Sequence, residues 1–96
     1  MLFNQAKKIL VIHKKDLVRL GVRNLSLFGS VARNEASAKS DVDVLVKLDS
    51  NIGYFEFFDI KTYLEKLLGC KVDLVTKNAL HPALKKCILQ KAKQVF

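Results

Sequence analysis

Two short stretches of this sequence hold residue types that can act together on phosphate. Gly29-Ser30 is followed, after ten intervening residues, by Asp41-Val42-Asp43. On a strand, positions i and i+2 share a face, so Asp41 and Asp43 project in parallel. Parallel carboxylates repel one another and favour a cation between them. Hard oxygen ligands of this kind suit Mg²⁺, which takes one or two carboxylates together with phosphate oxygens and waters. Asp73 is a third candidate, on condition that its strand lies beside that of the aspartate pair. Three carboxylates can hold two metal ions about 3.5–4 Å apart, the clamp used for in-line displacement at phosphorus.

Gly29-Ser30 supplies the complementary half. A glycine at a strand end lets backbone approach a ligand closely, and a serine opening a helix offers a hydroxyl and free N–H groups to phosphate. Arg33, one helical turn on, reaches the same anion. For the end of one strand to meet the start of the next, these two strands must run antiparallel.

The elements that position these residues are legible in the apolar pattern. Leu2, Phe3, Ala6, Ile9, Leu10, His13, Leu17 and Leu20 fall within an arc of about 120°, which predicts one core-facing helix stopped by Gly21. A strand is expected over 24–28. Ser30–Glu35 reads as a short helix and Ala36–Ser40 as a loop. A second strand over 41–48 alternates cleanly, with Val42, Val44, Val46 and Leu48 on one face and Asp41, Asp43, Leu45 and Lys47 on the other. Phe57, Ile60, Leu64, Leu67 and Leu68 form a helical stripe closed by Gly69. A third strand covers 71–76. Pro82 opens a last helix whose stripe is Leu84, Ile88, Ala92 and Val95. The expected fold is therefore α/β (α+β) in the order αβαβαβα, a small mixed three-stranded sheet packed with helices, in a single domain over residues 1–96.

Composition narrows the function classes. Half of the 96 residues are apolar, which argues for a folded core rather than disorder. No apolar run approaches the roughly 18 residues of a membrane span, and no secretory leader is legible. Cys70 and Cys87 form neither a metal spacing nor a disulfide framework, so a cytoplasmic setting is expected. The net charge of +8 is concentrated at the two ends: residues 1–23 and 77–96 each carry +5.

Gly29-Ser30-Val31-Ala32-Arg33 with Ser40-Asp41-Val42-Asp43-Val44-Leu45-Val46 resembles the signature of the DNA polymerase β-type nucleotidyltransferases. The short chain is similar to the minimal nucleotidyltransferase (MNT) family, whose members act as antitoxins to HEPN-domain ribonuclease toxins. The resemblance extends from the first helix through Asp73 to the basic C-terminal helix. It implies a polymerase β-like core and ATP as substrate. Gly29, Ser30 and Arg33 would hold the nucleotide, and Asp41, Asp43 and Asp73 would serve as catalytic ligands of two Mg²⁺ ions. The implied reaction transfers AMP to a hydroxyl, a tyrosine on the HEPN toxin in antitoxin relatives. A chain this short has no room for a second domain, so its acceptor must bind an open face or arrive on a partner.

Each residue also has a plainer reading. Asp41 and Asp43 would suit a solvated strand face, although Leu45 on that face and Asp73 later in the chain favour the metal site. Ser30 would serve as a helix cap, Arg33 as a surface side chain, and Asp73 as an outward strand residue. His13, on the apolar stripe, reads as packed and hydrogen-bonded rather than as a ligand. His81 reads as a loop end, and both cysteines as space-filling. Lys47 and Lys77 stand between solvated tips and phosphate contacts. The lysine-rich ends suit a solvated surface or docking to an acidic partner. Direct nucleic-acid binding is not expected, because aromatic and arginine residues are not interleaved with the lysines. Val11, Val18, Phe55 and Phe58 lie off the main stripes and point to partner contacts, with a homo- or hetero-oligomer possible. Two alternatives to catalysis remain in view, a non-catalytic antitoxin that neutralises by binding alone and a basic nucleic-acid module.

Overall fold

The computed structural model describes residues 2–29, 42–77 and 82–96, apart from the side chains of Leu84, Lys85 and Cys87. The expectations for Ser30, Arg33, the 30–35 helix, the 36–40 loop, Asp41 and His81, and for the Leu84 and Cys87 side chains, lie outside the described residues.

Helix α1 (Phe3–Ile12) buries Ala6 and Leu10, and α2 (Lys14–Arg19) buries Leu17. The single helix expected from the apolar stripe is thus divided at His13. Nδ1 of His13 donates to the carbonyl of Ile9 at 2.9 Å, the same carbonyl that accepts the His13 backbone N–H at 3.3 Å. A side chain that bonds back onto its own helix in this way competes with the backbone ladder and bends it. The ring also meets Tyr63 edge-on, so His13 is a packed residue as expected.

Strands β1 (Val22–Phe28) and β2 (Val42–Leu48) pair antiparallel, with Leu27 opposite Val44 and Phe28 opposite Asp43. The orientation demanded by the sequence is therefore met. Strand β1 begins two residues earlier than expected, with an irregularity between Val22 and Asn24. Helix α3 (Tyr54–Leu68) buries Ile60, Leu64 and Leu68 and ends on Gly69 at φ 68°. It leads to β3 (Val72–Thr76), which lies parallel to β2. Helix α4 (Pro82–Lys91) follows.

The sheet has four strands rather than the three expected, in the order β3-β2-β1-β4. Strand β4 (Lys93–Gln94) runs antiparallel to β1. Val95 was expected on the last helical stripe. Instead its N–H donates to the carbonyl of Leu25 at 2.8 Å, and its side chain enters the core from the sheet edge.

One face of the sheet builds the core. Val42, Val44, Val46, Leu25, Leu27, Val72 and Leu74 pack with Ala6, Leu10, Leu17, Ile60 and Leu64. Each fully buried aliphatic side chain contributes about 1.5–3 kcal/mol. The opposite face carries Asp43 and Leu45, as the alternation predicted, and Leu45 is buried there. Among the described residues no helix is long and apolar enough to cross a membrane.

Candidate active site

The site grows from the edges where β1 ends and where β2 and β3 begin. Parallel pairing brings Val42 opposite Val72, Asp43 opposite Asp73 and Val44 opposite Leu74. Adjacent strands lie about 4.8 Å apart, so Asp43 and Asp73 stand side by side on one face. One backbone bond and one backbone-to-side-chain bond fix the start of β3. The Val42 N–H donates to the Lys71 carbonyl at 2.9 Å, and the Val72 N–H donates to Oε2 of Glu65 at 3.2 Å. The second ties the start of β3 to α3, an anchoring role for Glu65 that no local pattern in the sequence signals.

Gly29 completes the described part of the site. It adopts φ +69°, in the left-handed region where a Cβ is disfavoured. A Cβ at this position would overlap Oδ2 of Asp43 and lie 3.1 Å from its Cγ. The glycine thus leaves the space that the Asp43 carboxylate fills. The sequence singled out Gly29 for close approach to phosphate; its contact with Asp43 follows from the antiparallel register.

The electrostatics follow from placement. Asp43 is half-buried and Asp73 exposed. The register sets the backbones of the two aspartates one strand spacing apart, about 4.8 Å, and carboxylates on neighbouring positions of one face favour a cation between them. Among the described residues no group of three metal-ligating side chains is assembled. Of the predicted site residues, Gly29, Asp43 and Asp73 are brought together, while Ser30, Arg33 and Asp41 lie outside the described residues.

A separate cleft lies elsewhere among the described residues. It encloses about 230 Å³ at the opposite ends of β2 and β3, where Lys47 and Lys77 line it.

Comparison with known proteins places the chain in a family. Residues 10–95 match the model of the nucleotidyltransferase domain. The protein adenylyltransferase MntA of Thermococcus cleftensis is 42% identical over 87 residues, covering 90% of this chain and 88% of the relative. A solved minimal nucleotidyltransferase superposes with a TM-score of 0.78 at 32% identity, covering 96% of this chain and 94% of the other. The fold also recurs in the complex of a tri-AMPylated Shewanella oneidensis HEPN toxin with its MNT antitoxin. There the TM-score is 0.71 at 18% identity, with 99% of this chain and 72% of the other covered. With the domain matched over residues 10–95, a relative 42% identical over 87 residues and a superposable solved fold, this chain belongs to the nucleotidyltransferase domain family.

Proposed function

We propose that this chain is a Mg²⁺-dependent protein adenylyltransferase. It moves AMP from ATP to a tyrosine hydroxyl of a cognate HEPN-type toxin and thereby acts as the antitoxin. One observation carries the reading: Asp43 and Asp73 occupy paired positions of adjacent strands, beside the bend at Gly29. The name of the Thermococcus relative supports the activity, and the Shewanella complex supports the kind of partner.

The residues fit the metal. Adjacent carboxylates offer hard oxygen donors, and the missing Cβ of Gly29 leaves room for the Asp43 carboxylate. In this reading Asp41, Asp43 and Asp73 hold two Mg²⁺ ions, while Gly29, Ser30 and Arg33 hold the triphosphate. Bound Mg²⁺ supplies charge neutralisation for the phosphates and the departing pyrophosphate. Asp73, exposed at the edge, receives the proton of the incoming hydroxyl. The hydroxyl oxygen then bonds to the α-phosphorus while the bond to the bridging oxygen breaks, and pyrophosphate leaves with that electron pair. The transferred AMP brings bulk and negative charge, which disturbs a ribonuclease site that must bind RNA phosphate.

Neutralisation by binding alone is the second reading, and the exposed apolar residues favour it. Val11 and Val18 are each 47% exposed, Phe58 56% and Phe55 82%. Val18, with Lys14, Lys15 and Arg19, borders a groove of about 450 Å³, suited to an apolar surface with an acidic rim. Coexpression with the toxin separates the readings. Intact-mass spectrometry of the toxin should show AMP-sized increments that disappear with Asp41→Asn plus Asp43→Asn, and neutralisation should disappear with them. Neutralisation that persists without any increment would establish the binder instead.

A further inference from the structure

The cleft at the far ends of β2 and β3 has a chemistry of its own. Lys47 lies four residues beyond Asp43, about 13 Å along the strand. Lys77 comes directly after the last register pair, Val46 opposite Thr76, and Lys47 directly after Val46, so each lysine sits one residue past that pair. Both line the same cleft of about 230 Å³. Neither forms an ion pair among the described residues. Two ammonium groups on adjacent strands repel, and an anion between them relieves that repulsion.

The rest of the lining narrows the ligand. Asp49 is the acidic member, and its Oδ1 already accepts from Nε of Arg23, so its charge is compensated. Ser50 also lines the cleft. Leu48 and Ile52 form an apolar wall, which suits a body attached to the anion. The volume lies below that of clefts for drug-sized ligands, about 300–1,000 Å³.

We infer that this cleft binds a phosphate monoester with an apolar or aromatic body, its phosphoryl oxygens on Lys47 and Lys77 and its body against Leu48 and Ile52. The site is separate from the carboxylates and needs no divalent metal. It gives the sheet a second phosphoryl contact two strand-pitches from the place where transfer is proposed to occur.

The test uses the full chain, isotope-labelled, in excess chelator so that the carboxylate end holds no metal. Inorganic phosphate and AMP are titrated separately while backbone amide shifts are followed. Saturable shifts centred on Lys47, Ser50 and Lys77, with AMP tighter than phosphate, support the assignment. The double variant Lys47→Met with Lys77→Met should weaken AMP binding by about tenfold or more, since each lost charge-assisted bond is among the stronger kind. Asp43→Asn should leave it unchanged. Equal weak binding of phosphate and AMP would remove the apolar wall from the account and overturn the monoester assignment. So would shifts confined to Gly29 and Asp43, or a double variant that binds like the parent. Because no turnover is measured, failure here leaves the transferase reading intact.

Discussion

A side chain at position 29 and the carboxylate of Asp43 compete for the same space. Gly29 holds φ +69°, and a Cβ there would overlap Oδ2 of Asp43 and stand 3.1 Å from Cγ. The end of β1 and the first acidic residue of β2 described in the structure are therefore fitted to each other. Gly29→Ala must either turn the backbone or displace the carboxylate. It is expected to cost about 1–2 kcal/mol in stability, from the left-handed backbone alone. Displacing a ligand by about an ångström should lower adenylyl transfer by about 10²-fold. Denaturant unfolding and transfer kinetics on the same preparation check both effects.

The acid pair behaves differently. Asp73→Asn removes a charge from an exposed strand position beside another carboxylate, so the metal-free fold should be as stable as the parent or slightly more so. Transfer should fall by about 10³-fold or more, as removal of preorganised charge from a phosphoryl site does. Mg²⁺ with ATP should raise the Tm of the parent and leave that of the variant unmoved. Thermal scans with and without nucleotide test this directly.

Much of this arrangement was legible in the sequence because a few constraints coincide. Strict alternation over 42–48 fixes which side chains face the core, and the glycine at 29 can meet Asp43 only if β1 and β2 run antiparallel. The parallel placement of β3 was set as a condition and is met, because a helix with one apolar stripe must cross over the core between β2 and β3. Beyond the Glu65 anchor, two features of the fold were not legible. The bend at His13 depends on a ring bonding its own Ile9 carbonyl, which a stripe of apolar residues does not reveal. Strand β4 was hidden because Val95 continues the spacing of Ile88 and Ala92, so its apolar position suits a helix and a strand equally. Only the distant edge of β1 decides between them.

Tyr63 gives a pH signature that is independent of the site. Its hydroxyl donates to Oδ2 of Asp16 at 3.1 Å. Burial, that hydrogen bond and the carboxylate charge all raise its pKa above the ordinary value of 10.0. A raised pKa means that the folded state favours the protonated phenol. The contribution is therefore complete below pH 10.0 and is lost as pH rises from there through the folded value. The stability difference between the parent and Tyr63→Phe should be constant from neutral pH upward and shrink above pH 10.0. Denaturant titrations of the two proteins in parallel cancel the common titration of the lysines.

The partner surface is tested by residues that contribute little to the core. Alanine at Val11, Val18, Phe55 and Phe58, all exposed, should change stability by no more than about 0.5 kcal/mol each. Copurification of the toxin should be lost, because exposed apolar side chains at an interface carry a disproportionate share of its energy. Retention of the toxin by the fourfold variant would move the interface elsewhere.

The most direct measurement is anomalous diffraction from crystals grown with Mn²⁺ and a nonhydrolysable ATP analogue. The account predicts metal density about 2.0–2.2 Å from carboxylate oxygens of both Asp43 and Asp73, with the triphosphate against Gly29 and Ser30. Asp43 and Asp73 turned away from each other, with no metal density between them, would contradict it.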